Sequence, residues 1–368
     1  KLHCGASSTS YGLSVKGSGF SQKLLKLVEV VLGSLGLEDY CSRAERRFHA
    51  QREELLRTFR NAWLKPQVHC SQLRRLLLLP AVVRPEAKTK ELEGAGLPEF
   101  QSFVRGVLQP IGCEVLASGN TPREELESWA AEVLETRLHP VAQPLVQHDV
   151  VRLQPGTAHV FVEDAVDATQ SNSAIEVYFQ LPGRDGMAWD EGRTRLRVLL
   201  DLLEELMYEP LFDDLRTKQQ LGYSVGASTR DSHGVLGFSV YVVSAVQRPP
   251  VLLQRIEAFL GGFVAHLRSC SAEKFASHVV ALAGRWLEPK RTLSEVQANV
   301  WSEVSFGHPV FDRTERAAAV LGTVSQEELI DLFERHIATG TSRACLVTAV
   351  APETEGSSEE ATALCSAV

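Results

Sequence analysis

The sequence is short of positive charge. Its 38 lysines and arginines stand against 46 aspartates and glutamates, a formal net charge of -8. That balance argues against non-specific nucleic-acid binding, which runs on basic patches. Long apolar runs are missing as well, and none reaches the roughly 18 residues that a membrane-spanning helix needs. The opening stretch, KLHCGASSTSYGLSVKG, lacks the apolar centre of a signal peptide. A cytoplasmic location is therefore expected. The chain begins with Lys1 rather than Met, as a fragment or a processed piece would.

Paired cysteine motifs are also absent. Cys4, Cys41, Cys70, Cys113, Cys270, Cys345 and Cys365 are odd in number, widely spaced and without a C-x-x-C. This predicts a reducing compartment and mostly inert, buried thiols. His3-Cys4 and His69-Cys70 are adjacent pairs. Neighbouring residues rarely turn to one ion, and the known zinc spacings are missing, so no metal site is expected there.

What is present is enough apolar residue to build a core. The 368 residues are 44% hydrophobic, and that length suggests two domains. SYGLSVKGSG alternates Tyr11, Leu13 and Val15 with polar neighbours, the pattern of a half-buried strand. A helix follows, with Leu24, Leu27, Val28, Val31 and Leu35 on one face. Residues 38–64 read as a long charged helix, and Pro66 opens the next at its first turn. GLPEFQSFVRGVL reads as another helix, and GCEVLASGN as a short strand. Thr121 is the expected N-cap of a helix with Pro122 at its first position.

Around 139–158 helical periodicity is lost and proline accumulates, which places a domain boundary. A second block follows. AIEVYFQL is a strand with Ile175, Val177 and Phe179 on one face and Glu176, Tyr178 and Gln180 on the other. Next comes a helix with a core stripe at Leu196, Leu199, Leu200, Leu203 and Leu206. Residues 235–244 form a strand, and a helix and several more follow. Ser325 and Glu328 form a capping box, and RACLVTAV is a buried closing strand. The acidic, small-residue tail from Pro352 is expected to be disordered. Strands interleaved with helices argue an α+β fold, a mainly antiparallel sheet covered by helices in each domain. The first block shows only two strands and is short of them at its beginning.

Chemistry gathers at LRTKQQLGYSV, residues 215–225. Gly222 is placed where a helix end favours left-handed geometry. Tyr223 opens the next strand, and Arg216 lies about one and a half helical turns earlier. Both long side chains reach the same rim, and a guanidinium fork and a phenol suit a peptide carbonyl or a developing oxyanion. Spacing alone favours an arginine that only meets the helix dipole or a surface carboxylate and a tyrosine that only packs. Asp213 and Asp214 read as favouring the start of a short helix after Pro210. His233 reads as a turn residue. Glu176, Tyr178 and Gln180 either line a peptide groove, as a sheet that adds peptide strands would, or lie on a solvated or helix-covered face.

EPLFDDLRTKQQLGYSV, followed by HGVLGFSVYV, resembles the second half of the pitrilysin-type (M16) zinc metalloproteases. The resemblance implies that residues 1–145 are the family's third, middle domain without its opening strands, and 146–351 its fourth, with 352–368 a tail. It implies two bowl-like halves that close on a peptide. The N-terminal partner half carries zinc on H-x-x-E-H. This half lends Arg216 and Tyr223 to hold the substrate backbone and support the oxyanion. None of the eleven histidines here begins an H-x-x-E-H, so zinc is expected in the other half and this chain alone is expected to be inactive. The alternative is a non-catalytic homologue that binds peptides or acts as a partner subunit. A homo-oligomer is allowed by either reading.

Overall fold

The computed structural model describes every residue except 10–11, 35–36, 108–110, 139, 143–147, 184–189, 306–308, 339, 353–361 and 366–368. The chain runs β1 (His3–Thr9), β2 (Gly12–Ser18), α1 (Ser21–Ser34), α2 (Leu37–Arg60), α3 (Pro66–Leu78), α4 (Pro85–Gly94), α5 (Leu97–Val107) and α6 (Arg123–Arg137). It continues through β3 (Ala158–Asp164), β4 (Ser173–Gln180), α7 (Glu191–Leu211), β5 (Ser224–Ser232), β6 (Val235–Ser244), α8 (Pro249–Ser269) and α9 (Ala272–Trp286). It closes with α10 (Leu293–Ser305), α11 (Arg313–Leu321), α12 (Gln326–Phe333) and β7 (Cys345–Ala351). Two π-helical stretches, Phe212–Lys218 and Glu334–Ala338, extend α7 and α12. Among the described residues no helix is long and apolar enough to cross a membrane.

Two compact units interleave along the chain. The first takes Lys1–Arg60, Glu86–Gln147 and Pro289–Pro309, and the second takes Asn61–Pro85, His148–Glu288 and Val310–Val368.

In the first unit β1 and β2 form an antiparallel hairpin, with Ala6 opposite Val15. The sequence reading found β2 but not its partner, whose HCGASST is too polar and small to stand out. The expected strand at GCEVLASGN does not form. Among the described residues no strand pairs with it; the Val141 N–H donates to the carbonyl of Ile111, just before the segment, and Val115 stays exposed. The next helix starts at Arg123 after a Pro122 cap that makes no side-chain bond, so Thr121 does not cap it. Among the described residues its buried apolar side chains are Leu32, Leu56 and Val133. Leu13, Phe20, Val30 and Phe103 are exposed.

The second unit holds a five-stranded sheet in the order β3-β7-β4-β6-β5. β3 and β7 are parallel, and the other pairs are antiparallel. The β3 segment HVFVED was not recognised from sequence. On one face Ile175, Val177 and Phe179 pack with the α7 leucines and with α8 in a single large core. Leu364 from the tail is fully buried in it; the rest of the tail expected to be disordered lies mostly outside the described residues. β5 and β6 meet in a two-residue turn, His233-Gly234, with φ of 46° and 96°. Positive φ at both central positions matches the twist of a hairpin.

α3 covers the other face. It starts at Pro66, where the missing N–H costs nothing. The Cys70 thiol donates to the Ala174 carbonyl (3.2 Å), and the Thr348 hydroxyl donates to the Cys70 carbonyl (3.1 Å). Arg74 Nε donates to Glu176 Oε1 at 3.0 Å, and both side chains are buried. At the β3 edge, Glu163 takes His69 Nε2 at 3.0 Å and the Arg84 fork at 2.5 and 3.2 Å. The Trp63 ring lies 4.7 Å from the His69 ring and under the Arg84 guanidinium.

Two capping expectations change. Ser325 accepts the Glu328 N–H as a cap should, but the Glu328 carboxylate turns to Arg195 at 2.5 Å instead of closing the box. Pro210 lies inside α7 rather than before a new helix. Asp213 and Asp214 fall in the first turn of the π-helical stretch Phe212–Lys218, which continues α7; Asp213 pairs with Lys218, and Asp214 accepts from Gln219.

The corner after α7 also departs from expectation. Gln220, not Gly222, holds the left-handed conformation, with φ of 50°. Gly222 is required by close approach: a Cβ there would stand 1.8 Å from the Val243 carbonyl oxygen on β6. We expect Gly222→Ala to lower stability by about 1–3 kcal/mol, the usual range for overpacking. Gln220→Gly should raise it by about 0.5–1 kcal/mol, because relief of left-handed strain exceeds the entropy lost. Denaturant melts of both variants check this pair.

Burial alone would push the Glu163 carboxyl up, but hydrogen bonds from His69 and Arg84 bring it down to about 2. A carboxylate whose folded pKa is depressed contributes stability above its unfolded value, and that contribution is lost as pH falls. The window runs from the ordinary 4.5 down to about 2. Glu163→Gln should therefore melt lower than the parent at neutral pH. Thermal melts across the acid range should show the two converging near pH 2; parallel curves throughout would contradict this assignment.

Candidate functional site

The π-helical stretch after α7 carries Arg216 back toward Phe212, one turn below it. The Arg216 guanidinium lies 4.5 Å from the centre of the Phe212 ring and 4.5 Å from that of Tyr223. It is held between two aromatic faces, an arrangement that stacking and cation–π attraction favour. The Leu221 N–H closes on the Leu215 carbonyl at 3.0 Å, and the Gln219 N–H on that of Asp214 at 3.0 Å. These bonds, with the left-handed Gln220, turn the chain so that Tyr223 arrives over Arg216. Tyr208 stacks on Phe212 at 6.4 Å and extends the row along the helix.

Tyr223 is 85% exposed, an unusual place for an aromatic side chain. Among the described residues neither its hydroxyl nor the Arg216 guanidinium makes a hydrogen bond or an ion pair. The two residues singled out by spacing are thus brought together, with unspent donors facing outward. Sequence reading missed Phe212. Its signal was an aromatic four residues before an arginine on a helix, a spacing that puts the two on one face.

The second group of candidates behaves differently. Glu176, Tyr178 and Gln180 are 2%, 0% and 4% exposed. β4 is an interior strand, paired on both sides, so it has no edge to offer a peptide. Tyr178 lies under α3 with Leu78 and Leu79, and its ring covers Gly237. Burial pushes its phenol up to about 12. Gln180 spends its amide on the Val151 carbonyl and the Leu153 N–H. Tyr178 is covered by the end of α3, as the helix-covered reading has it, whereas Gln180 is covered by the irregular segment at 151–153. Glu176 is buried but borders a cavity, described below.

His233 stands in the β5–β6 turn, its ring 4.3 Å from that of His148. Burial, and then the His148 charge, lower its pKa. Among the described residues no three His, Cys, Asp or Glu side chains are grouped to hold a metal ion. His69 is spent on Glu163, and the buried Cys70 thiol is pushed well above its usual range, first by desolvation and then by Glu176.

Comparison with known proteins agrees in both units. The family model for the middle or third domain of peptidase M16 matches residues 1–91, and that for the C-terminal lobe domain 4 of PQQ synthase PqqF-like proteins matches residues 202–301. Human nardilysin is 30% identical over 337 residues, which cover 90% of this chain and 28% of that protein. Human insulin-degrading enzyme is 26% identical over 340 residues, covering 91% of this chain and 32% of the enzyme. The chain therefore spans about a third of the length of the curated relatives it matches. The crystal structure of pitrilysin superposes with a TM-score of 0.80 at 19% identity, over 98% of this chain and 38% of that one. At that identity the likeness speaks for the fold. Two domain-level matches in the family's order, relatives aligned over nine-tenths of the chain, and a shared fold lead to one conclusion: the chain belongs to the peptidase M16 family of pitrilysin-type proteins.

Proposed function

We propose that this chain is the zinc-free, substrate-binding half of a nardilysin- or insulysin-like metalloendopeptidase. It acts by closing on an N-terminal half that carries H-x-x-E-H. Residues 1–145 serve as the third domain and 146–351 as the fourth; the two family models fall within these spans. The observation that carries the proposal is the corner itself: a guanidinium and a phenol stacked together, exposed, and without hydrogen-bond partners among the described residues.

Each group has a distinct task in peptide hydrolysis. Arg216, steadied by Phe212 and Tyr223, offers its fork to a substrate carbonyl in both ground and transition states. The Tyr223 phenol donates to the oxygen on which negative charge develops, and its contribution grows as that charge grows. In this reading the ion and the attacking water belong to the other half.

Steady-state kinetics on the full chain reassembled with a zinc-bearing N-terminal M16 half test this reading. Tyr223→Phe keeps the ring over Arg216 and should cut kcat by about 10²–10³, with KM little changed. Arg216→Ala should raise KM as well. Melting temperatures should hold for Tyr223→Phe. Unchanged kcat and KM in that variant, or a loss matched by unfolding, would reduce the corner to packing.

A further inference from the structure

A cavity of about 390 Å³ lies within the second unit, beside α3 and over β4, β6 and β5. The size is that of a small-ligand site, within the usual range of about 300–1,000 Å³. Sheet register arranges the floor in rows. Ala174 and Val243 form the first, Glu176, Tyr241 and Gly226 the second, and Ser239 and Ser228 the third. Gly226 keeps the second row low: a Cβ there would stand 2.6 Å from the Tyr241 hydroxyl, so the phenol lies across β5 instead of standing up into the space. Strand alternation separates the cavity from the Arg216–Tyr223 corner: Val225 and Ala227 pack on the helical core, whereas Ser228 and Arg230 turn to the cavity.

The two ends of the cavity differ in polarity. At one, Val68 of α3 joins Ala174 and Val243. At the other, Arg230 reaches from β5 diagonally across the floor. Its Nε donates to the Ser239 hydroxyl at 3.2 Å, and its Nη2 donates to Glu176 Oε1 at 3.1 Å. Among the described residues no partner is found for Arg230 Nη1, nor for the hydroxyls of Ser71, Ser228 and Tyr241, which line the same space. Among the described residues that line the cavity Glu176 is the only acid and Arg230 the only base. Glu176 is also paired with the buried Arg74. Two guanidiniums thus meet one carboxylate, and the cavity carries one positive charge in excess within a chain of net charge -8. Two bonds hold the Arg230 side chain, which is 27% exposed. A guanidinium fixed in advance and partly shielded from water binds an anion with little further cost of ordering.

We infer that this cavity binds a small aliphatic monocarboxylate. Its carboxylate meets Arg230 Nη1 and the open hydroxyls, and its hydrocarbon body lies against Val68, Ala174 and Val243. One cation in excess calls for one negative charge. An ammonium would be repelled by the same guanidinium, and Glu176, already spent on two arginines, offers it no compensating partner. Length is set by the sheet. Successive rows are two residues apart, and the Arg230 guanidinium, bonded to both Glu176 and Ser239, lies between the second and third rows. That places it roughly 10 Å from the first row at about 3.4 Å per residue, the reach of an acid of about four to six carbons. The site shares no residue with the Arg216–Tyr223 corner and does not rest on the function proposed above.

The test is a titration of the full chain with hexanoate at neutral pH, read by saturation-transfer NMR, with hexanamide, hexylammonium and acetate as comparison ligands. Hexanoate should saturate its site below about 10 mM. Hexanamide lacks the charge, hexylammonium reverses it, and acetate lacks the body; each should bind at least about tenfold more weakly. Arg230→Gln should weaken hexanoate at least about tenfold. That change also takes a partner from Glu176, so Val68→Asp serves as a second variant. It sets a like charge in the apolar wall at an exposed helix position, leaves the Glu176 group intact, and should abolish binding. Melting curves establish which variants are folded. Absence of saturation by hexanoate, a comparison ligand that binds as tightly, or unchanged hexanoate affinity in either folded variant would overturn the inference.

Discussion

The second unit depends on how a polar helix is held against an apolar sheet. α3 brings an arginine into a place where almost nothing reaches water, and the sheet meets it with Glu176. Arg230 joins the same carboxylate oxygen from β5. Burying such charges is expensive, and removing one member of a buried pair typically costs about 3–5 kcal/mol. The three must therefore stay together, and together they fix the register of α3 on β4. Cys70, Thr348 and the His69–Glu163–Arg84 group hold the same helix at other points along its length. Once α3 is placed, β4 is buried on both faces and the open part of the sheet beyond it becomes a polar cavity.

The corner follows a different logic, set by backbone geometry more than by side chains. A wider π turn after α7, a left-handed Gln220 and a Gly222 pressed against Val243 act in sequence. Each removes an alternative path for the chain. The result places Tyr223 over Arg216 and leaves both groups' polar atoms without a partner among the described residues. π-helical turns and strained residues recur at functional sites because they point side chains where regular structure does not. The same corner can be rigid and exposed because its stability comes from the buried Leu215 and Leu221 on either side.

The two units differ in how much core they possess. The second encloses a continuous apolar layer under α7 and α8, whereas the first shows, among the described residues, a two-stranded hairpin and few buried apolar side chains. A two-stranded ribbon is marginal by itself.

Sequence alone determined the elements with strong local signals. The α7 leucine stripe, the β6 run at 235–244 and the Pro66 helix start are matters of periodicity and local stereochemistry. Arg216 and Tyr223 were legible in the sequence as long side chains near one helix end, and the resemblance of their segment to the M16 family gave them a role that spacing alone left open. Three things were decided only by tertiary structure. HCGASST became a strand because β2 was there to pair with it, while GCEVLASGN had no partner and formed none. Gly222 proved to answer to a carbonyl 21 residues away in sequence, on β6, and not to its own helix end. The face carrying Glu176, Tyr178 and Gln180 was open to two readings because alternation says which residues share a side and not what covers it. α3 and the segment at 151–153 settled that, since burial is a property of neighbours brought together by the fold, and no spacing within one strand can encode it.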